Sequence, residues 1–433
     1  MVKTALRWLG AGGFFGFGVN CRGLCQSGNT IWEQRLDMHN EEKNRAWIFL
    51  VLGIMAFLAN GDNYAVAPLI LDMSKDLQVS IPQTAFSVTS YMVCFGFFTI
   101  IIGPLGDRYG KTRIINIAAF GTAIFSILSA FSHNLGTLIV LRAVNGAFGA
   151  GIFPVCIAYI GESSPDANRQ RSIGKFFGMM FLGGASATAI GGVVAHFGSW
   201  RTVYFLYGFF ELVIAIIMCR SIQKAPGVID QLNFRKIYKT TIRNRELIKV
   251  VSTIFLIGFS VFGTFTYSGK YIQINTGYGV MGVGLILSLF GVATVVGARK
   301  VTLLRHYFNH RFVPCAAVLG SLSLATLPVL RSPLLISLAL FGFGFAFISI
   351  HSTLVTTAQN LMPKMRGTVM SLVSFNLFVG GAAGTFVNGW ILDFFGMQWV
   401  FFCAACLMLL ILLISAKWLD LTIRPVILKQ AAS

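Results

Sequence analysis

Long apolar stretches alternate with short polar breaks along most of the chain. Stretches of roughly 18–25 apolar residues are long enough to cross a bilayer as helices. The sequence contains twelve of them, and this even number returns the chain to the side on which it started. The pattern predicts an all-α membrane protein with twelve transmembrane helices. We place the predicted spans at approximately 46–70, 83–103, 114–131, 136–159, 173–196, 201–219, 249–269, 279–297, 312–330, 334–356, 368–390 and 397–416.

The longest polar break divides the predicted spans into two sets of six. It covers about 220–248, between the sixth and seventh spans, and it is rich in Lys and Arg. We therefore predict an N-terminal six-helix half at 46–219, a cytoplasmic linker at 220–248 and a C-terminal six-helix half at 249–418. Residues 1–45 and 419–433 are interpreted as cytoplasmic tails, of which the first need not be ordered and is assigned no function.

Composition supports a membrane protein, and the distribution of charge orients it. Only 11% of the 433 residues are charged and the mean hydropathy is +0.74, whereas soluble domains carry about 25% charged residues. The net charge of +19 does not indicate nucleic-acid binding, because nearly all of the 34 Lys and Arg fall in segments on one side of the membrane. That asymmetry identifies the cytoplasmic side and places both termini there. The exceptions are Lys75, Arg201, Lys270 and Arg331 in outward turns, and Arg142 within a span.

The turn after the second span carries the most specific motif in the chain. Its spacing, Gly-x-x-x-Asp-Arg-x-Gly-Lys-x-Arg, resembles the signature loop of the major facilitator superfamily of secondary transporters, although Thr112 replaces a basic residue that is common there. The resemblance implies the fold of two six-helix halves and transport of a small molecule by alternating access. It also implies that this segment is a conformational latch. The latch residues are Gly103, Asp107, Arg108, Gly110, Lys111 and Arg113, together with Glu162 and Arg171.

The latch is expected to act through Asp107. This carboxylate should lie in a cytoplasmic loop near the start of the eleventh span, around Gly367, where the helix dipole would stabilise its negative charge. Breaking that contact would let the two halves part. The alternative is a loop that only sets the topology.

An unpaired charge inside a span is costly and is a functional candidate by default, and Asp62 and Arg142 are the two main candidates. Asp62 lies in a segment similar to the first helix of drug/proton antiporters, and a carboxyl group in a low dielectric can bind and release a proton near neutral pH. Arg142 and Asn145 resemble the family's fourth-helix motif. We predict that Asp62 carries the coupling proton and that Arg142 sets its proton affinity. In the alternative, Asp62 caps a helix break and Arg142 holds helices together.

The fifth span is rich in small residues, which allow helices to approach closely. Gly183, Gly184, Gly191 and Gly192 resemble the glycine motif of antiporters, but Thr188 occupies the place of its Pro. The resemblance favours export.

A cargo cavity should be lined by polar side chains from several spans. We predict Asn63, Tyr64, Asn145, Tyr267 and Asn376 for this role. By contrast, Glu211 in the sixth span is expected to make a local hydrogen bond, and His351 in the tenth is expected to be satisfied.

These observations predict a proton-coupled exporter of a small organic molecule. A proton-coupled importer or a uniporter of a small metabolite remains open, and so does a membrane sensor that binds without transport. The sequence has no Walker loop, metal cluster or nucleophile motif, so we expect no enzyme and no cofactor, with the proton gradient as energy source. The expected partners are the cargo, protons and the lipid bilayer, with no nucleic acid and a monomeric chain. The very short outer loops and the lack of an Asn-x-Ser/Thr sequon favour a bacterial inner membrane.

Overall fold

The fold was analysed in a computed structural model. It describes the backbone at 21–164, 166–222, 238–239, 241–362 and 365–419, and the side chains there except those of 21–41 and 166–171. Residues 1–47 and 48–433 are two separate units, and the description below concerns the second unit except where helix bounds are given.

Twelve helices, numbered α1 to α12, make up most of the described chain. Two of them, α1 and α4, are interrupted by a short break. The bounds are Cys21–Tyr64 and Val66–Asp76 (α1), Ile81–Tyr109 (α2), Lys111–Ala130 (α3), Leu135–Gly149 and Phe153–Ser163 (α4), Asp166–Phe197 (α5), Trp200–Ser221 (α6), Arg245–Thr276 (α7), Val280–Phe308 (α8), Phe312–Thr326 (α9), Pro333–Leu361 (α10), Arg366–Phe394 (α11) and Met397–Lys417 (α12).

Eleven helical segments of the described chain are long and apolar enough to cross a membrane. One of them, Val280–Val329, is 50 residues long and contains both α8 and α9. A continuous helix of that length would measure about 75 Å, far more than a bilayer requires. The 3-10 turn Asn309–Arg311 separates α8 from α9, and the positive φ of Asn309 (47°) ends α8. The prediction of an all-α protein with twelve transmembrane helices is therefore confirmed.

The signature segment is not the loop that the sequence predicted. Helix α2 continues to Tyr109 with Pro104 inside it, and α3 begins at Lys111. Only Gly110 lies between the two helices, with φ at +94°. Glycine adopts this backbone conformation without the clash that a Cβ would cause. The motif thus forms the ends of two helices, and Asp107 lies on the last turn of α2.

Other helices also extend beyond their predicted spans. Helix α1 begins at Cys21 and ends at Asp76, so the predicted tail 1–45 is helical from residue 21 onwards. Most of the predicted linker, at 223–237, lies outside the described residues, as does the predicted C-terminal tail from residue 420.

The main contacts between the N-terminal half (α1–α6) and the C-terminal half (α7–α12) are those of α2 with α11, α5 with α8, and α1 with α7. We name the two ends of the bundle after residues there: the Asp76 end, where α1 ends, and the Asp107 end, where α2 ends. Towards the Asp76 end the helices meet at backbone distance. A Cβ added to Gly284 of α8 would lie 2.3 Å from the carbonyl oxygen of Thr188 in α5. One added to Gly269 of α7 would lie 2.2 Å from the carbonyl oxygen of Ala67 in α1.

The other end of α5 is packed differently. A Cβ at Gly174 or Gly178, towards the Asp107 end, would meet no atom within 4 Å. The α5–α8 contact is therefore closed at the Asp76 end, and α5 has open space beside it at the Asp107 end.

Replacing Gly284 with Ala should lower the thermal stability of the protein. The new methyl group would collide with the carbonyl oxygen of Thr188, and overpacking of this kind costs about 1–3 kcal/mol. The thermal unfolding midpoint of the purified protein in detergent measures the effect.

The matched control is Gly174→Ala on the open part of α5. It should keep or raise the midpoint, because Ala is favoured over Gly within a helix by about 0.5–1 kcal/mol. Equal effects of the two substitutions would contradict the proposed close contact.

Candidate functional site

The centre of the site is a buried ion pair between α1 and α4. Nη1 of Arg142 donates a hydrogen bond to Oδ2 of Asp62 at 2.7 Å, and the side chains are 1% and 3% exposed. Nε and Nη2 of Arg142 have no hydrogen-bond partner among the described residues. The pair is thus held by one strong contact, while two of the donor groups of Arg142 remain available for another acceptor.

Side chains from three further helices surround this pair. Ser126 Oγ of α3 lies 3.1 Å from Oδ1 of Asp62 and 3.2 Å from the carbonyl oxygen of Tyr204, so its single proton is shared between them. The guanidinium carbon of Arg142 lies 4.6 Å from the ring centroid of Tyr91 on α2 and 5.0 Å from that of Tyr204 on α6. Aromatic faces attract a cation at these distances. The positive charge of Arg142 is therefore stabilised by one carboxylate and two rings.

Glycines bring these helices to the required distance. A Cβ at Gly146, one turn after Arg142, would lie 2.2 Å from the carbonyl oxygen of Tyr91. A Cβ at Gly61, next to Asp62, would lie 2.6 Å from the ring of Tyr207. Only glycine permits these approaches, so the sequence around each charged residue also sets the distance between the helices.

Glu211 belongs to this site, and the prediction of a local hydrogen bond for it was wrong. Its side chain is fully buried on α6, and neither carboxyl oxygen has a hydrogen-bond partner among the described residues. It interacts electrostatically with both Asp62 and Arg142. The signal in the sequence was its position in an apolar span, seven residues after Tyr204, which places both side chains on one face of α6.

The prediction for His351 was also wrong. Its Nε2 is buried without a hydrogen-bond partner among the described residues, and its ring stacks on Phe347 at a centroid distance of 5.5 Å.

A small cavity lies beside the ion pair, between the two halves. It is lined by residues from α1, α2 and α7, and its volume open to water-sized spheres is about 20 Å³, which is enough for one water molecule. Oδ1 of Asn63 has no hydrogen-bond partner in the described part of the chain. Two predicted cavity residues, Asn63 and Tyr64, line it, together with Val66, Ala67, Val88, Met92, Phe262, Phe265 and Thr266.

The other three predicted cavity residues do not line this cavity. The polar group of each one donates a hydrogen bond to a backbone carbonyl oxygen. Asn145 donates to the carbonyl oxygen of Thr122 at 3.0 Å and joins α4 to α3. The hydroxyl of Tyr267 donates to the backbone carbonyl oxygen of Thr385 at 2.9 Å. Asn376 donates to Leu372, one turn earlier in α11, at 2.8 Å.

At the Asp107 end, Lys111 forms ion pairs with two other predicted latch residues. Its Nζ lies 3.0 Å from Oδ1 of Asp107 and 2.8 Å from Oε1 of Glu162, and its side chain is only 6% exposed. The described ion pairs of Asp107 and Glu162 therefore tie α2, α3 and α4 together within one half. Arg108 lies over the ring of Tyr109 at 5.1 Å, and the side chain of Arg171 lies outside the described residues.

Gly103 is one residue of the motif that lies close to α11. A Cβ there would lie 3.1 Å from Oγ of Ser371. The contact of Asp107 with the start of α11 and the role of Arg113 stay predictions.

Tyr238, which the sequence analysis did not single out, connects the halves at this end. Its hydroxyl donates to the carbonyl oxygen of Ile100 on α2 at 2.8 Å and is hydrogen-bonded to Ser371 on α11. Burial raises the pKa of Tyr238 to about 12, so the phenol keeps its proton at neutral pH and can act as a donor.

The four glycines of α5 lie at helix contacts. Gly183 and Gly184 face Phe57 and Asn60 of α1, and the amide of Asn60 donates to the carbonyl oxygen of Met180 at 2.8 Å. Gly191 faces Ala65, also on α1, and Gly192 faces α8 of the other half. From Gly183 to Gly192, α5 is thus close-packed against α1 and α8. Among the described residues, no group of three or more His, Cys, Asp or Glu could hold a metal ion.

Comparison with known proteins identifies the family. The sequence profile of the Major Facilitator Superfamily matches residues 52–385. The chain belongs to this superfamily. An uncharacterized transporter of Buchnera aphidicola is 23% identical over 386 residues, which cover 86% of this chain and 91% of that protein. The bicyclomycin resistance protein homolog of Haemophilus influenzae is 24% identical over 376 residues, which cover 82% of this chain and 92% of that protein.

The fold agrees with a solved member of the superfamily. A bacterial homolog of the human lysosomal transporter Spinster, crystallised in an inward-facing and unoccupied conformation, superposes with a TM-score of 0.75 at 14% identity. The match covers 88% of this chain and 99% of that chain. The protein is therefore a multi-pass membrane transporter of this superfamily, whose members handle small-molecule substrates in a lipid bilayer.

Removing Arg142 alone should destabilise the protein. In Arg142→Met the carboxylate of Asp62 would be buried without a cation, and breaking a buried pair in this way costs about 3–5 kcal/mol. The double variant Asp62→Asn/Arg142→Met removes both charges and should recover most of the loss. Thermal unfolding midpoints of the three proteins measure this, and equal midpoints for the single and double variants would contradict it.

Removing the hydroxyl of Tyr238 should loosen the Asp107 end only. Tyr238→Phe keeps the ring but loses the hydrogen bonds to Ile100 and Ser371. Hydrogen exchange of the nearby amides in α2 and α11 should become faster, while exchange at the Asp76 ends of the same helices stays unchanged. Unchanged exchange at both ends would show that Tyr238 does not hold the halves together.

Proposed function

We propose that this transporter exports a small organic molecule by alternating access, coupled to proton entry through Asp62. The observation that supports this most is the buried ion pair of Asp62 and Arg142, because a titratable carboxylate inside a membrane bundle is costly and is a candidate proton site. A buried ion pair is weak evidence for stability, because well-packed apolar residues of similar volume are often as stable or more stable, so a functional role is the better explanation of the charges.

Protonation would act on the pair directly. A proton on Asp62 removes the negative charge, so the 2.7 Å contact loses its electrostatic attraction. The guanidinium of Arg142 keeps its proton under all physiological conditions and would then seek another acceptor. The pair is therefore a two-state element between α1 and α4, with the ionised form favouring the conformation described here.

The proton site is linked to the proposed cargo site by the chain itself. Asn63 and Tyr64 follow Asp62 in α1 and line the cavity between the halves. The cavity is too small for an organic molecule in this conformation, so cargo binding requires the halves to separate. A change in the position of Asp62 would move both lining residues, which allows protonation and cargo binding to favour different conformations.

The charge distribution supports a cytoplasmic Asp107 end, which carries most of the Lys and Arg. In that orientation the halves are closed on the outer side. The Lys111 contacts with Asp107 and Glu162, together with Tyr238, are proposed to hold the cytoplasmic ends of the helices. The name of the bicyclomycin resistance protein homolog supports export for this chain, and its bacterial source supports a cytoplasmic membrane location.

Proton coupling should be abolished by Asp62→Asn. Purified protein in proteoliposomes would be tested with ethidium and with a panel of organic acids, under an imposed pH gradient. We expect the gradient to drive cargo movement and cargo addition to move protons in the opposite direction. Asp62→Asn should lose both effects, and the control Asp72→Asn, an acid on the same helix outside the buried pair, should keep them.

Other outcomes would replace the proposal. Flux that ignores the pH gradient would indicate a uniporter, and cargo movement in the direction of the protons would indicate an importer. Binding without flux for every compound would indicate a sensor. Gradient-driven flux that survives in Asp62→Asn would place the coupling site elsewhere.

A further inference from the structure

The site contains two carboxyl groups and one cation. Asp62 takes the only described hydrogen bond that Arg142 donates to a carboxylate. Glu211 is equally buried, yet both of its oxygens lack a donor among the described residues. An ionised carboxylate in that position would have lost its hydration without a replacement, which is among the most costly arrangements in a protein interior. The geometry therefore favours the neutral, protonated acid at Glu211.

The surroundings of Thr122 support the same conclusion. Thr122 on α3 lies close to the Glu211 carboxyl group. Its own hydroxyl proton is directed at the carbonyl oxygens of Ala118 and Ala119, at 3.2 and 3.0 Å. The Thr122 hydroxyl can then offer Glu211 only an acceptor. Thr122 therefore supplies no donor for an ionised Glu211 carboxylate, whereas a protonated carboxyl group would bring a donor of its own.

Titratable and charged groups face Glu211 from four helices. They are Asp62 on α1, Tyr91 on α2, Arg142 on α4 and Tyr207 on α6. The tyrosines are neutral, so Arg142 is the only cation among them. One guanidinium can balance one carboxylate, and the site is electrically neutral only if the second carboxyl group carries a proton. Nε and Nη2 of Arg142 are free to bind a second acceptor.

We propose that Glu211 is the second acid of this site: it holds a proton in this conformation and is the alternative partner of Arg142. When the proton moves, the O–H bond of Glu211 breaks and an O–H bond forms on Asp62, directly or through one water molecule. The number of protons and the net charge of the site stay constant. Arg142 then leaves Asp62 and donates to the Glu211 carboxylate.

Infrared spectroscopy of the full chain in lipid at neutral pH tests the protonation. A protonated carboxylic acid has a C=O stretching band that an ionised carboxylate lacks. We expect this band in the wild type, and we expect it to shift when all glutamate is labelled with ¹³C in the side-chain carboxyl group. It should be absent in Glu211→Gln. A wild-type spectrum without the band, or a band unaffected by glutamate labelling or by Glu211→Gln, would overturn the proposal.

Two further variants test the exchange of partners. In Asp62→Asn, Arg142 has lost its carboxylate and should pair with Glu211, which would ionise, so the band should disappear although Glu211 is present. In Asp62→Asn/Arg142→Gln no cation remains, and the band should return. A band that persists in Asp62→Asn would overturn the role of Glu211 as alternative partner. Size-exclusion chromatography identifies variants that are not folded, and for these the isotope shift of the wild type alone decides the protonation.

The protonation of Glu211 does not depend on the proposed function, whereas its part in coupling does. A glutamate band together with flux that ignores the pH gradient would support the second acid and contradict proton coupling. Gradient-driven flux without the band would support proton coupling and contradict the second acid. If both proposals hold, Glu211→Gln should lose accumulation of cargo against a gradient, because the amide cannot take over Arg142 as an anion.

Discussion

A guanidinium group inside a membrane bundle is stable only if the protein replaces the water that it has lost. Arg142 is 1% exposed, and the replacement consists of the Asp62 carboxylate and the faces of two tyrosine rings. These groups come from α1, α2 and α6, so four helices of one half, α4 included, are held in register around a single charge. Any change in the charge of Asp62 therefore acts on the packing of the whole half.

The glycines show how the chain makes such a site possible. Gly146 lets α4 approach the backbone of α2, and Gly61 makes room for Tyr207 beside the carboxylate. Between the halves the same device appears at Gly284 and Gly269, which close the Asp76 end. The charged site and the contact between the halves thus depend on one property, the absence of a Cβ at a few positions. Helices that meet at glycines can separate and come together again, because no interlocking side chains have to be repacked at those positions.

Some of this arrangement could be read from the sequence. The twelve spans follow from the length of the apolar stretches. A direct interaction of Asp62 with Arg142 agrees with the prediction that Arg142, in the fourth span, sets the proton affinity of Asp62 in the first. The sequence placed the turn at Gly110 correctly. It predicted a loop there because the motif is polar, whereas the residues of the motif continue two helices. The role of Glu211 depends on which face of α6 packs against α3. The position of the Asn145 side chain depends on its hydrogen bond to a backbone carbonyl oxygen of α3. Such contacts are set by tertiary packing, which hydropathy does not encode.

The central claim is that the charge state of Asp62 controls which end of the bundle is open. The most direct test measures the distance between the halves at the Asp107 end by double electron–electron resonance. Spin labels would be placed at Lys175 and Leu303, two exposed positions on α5 and α8, in a protein whose native cysteines are replaced. We predict that the distance distribution shifts with pH in the wild type and in Asp393→Asn, a matched exposed acid, and is independent of pH in Asp62→Asn. The same pH-dependent shift in Asp62→Asn would contradict the account.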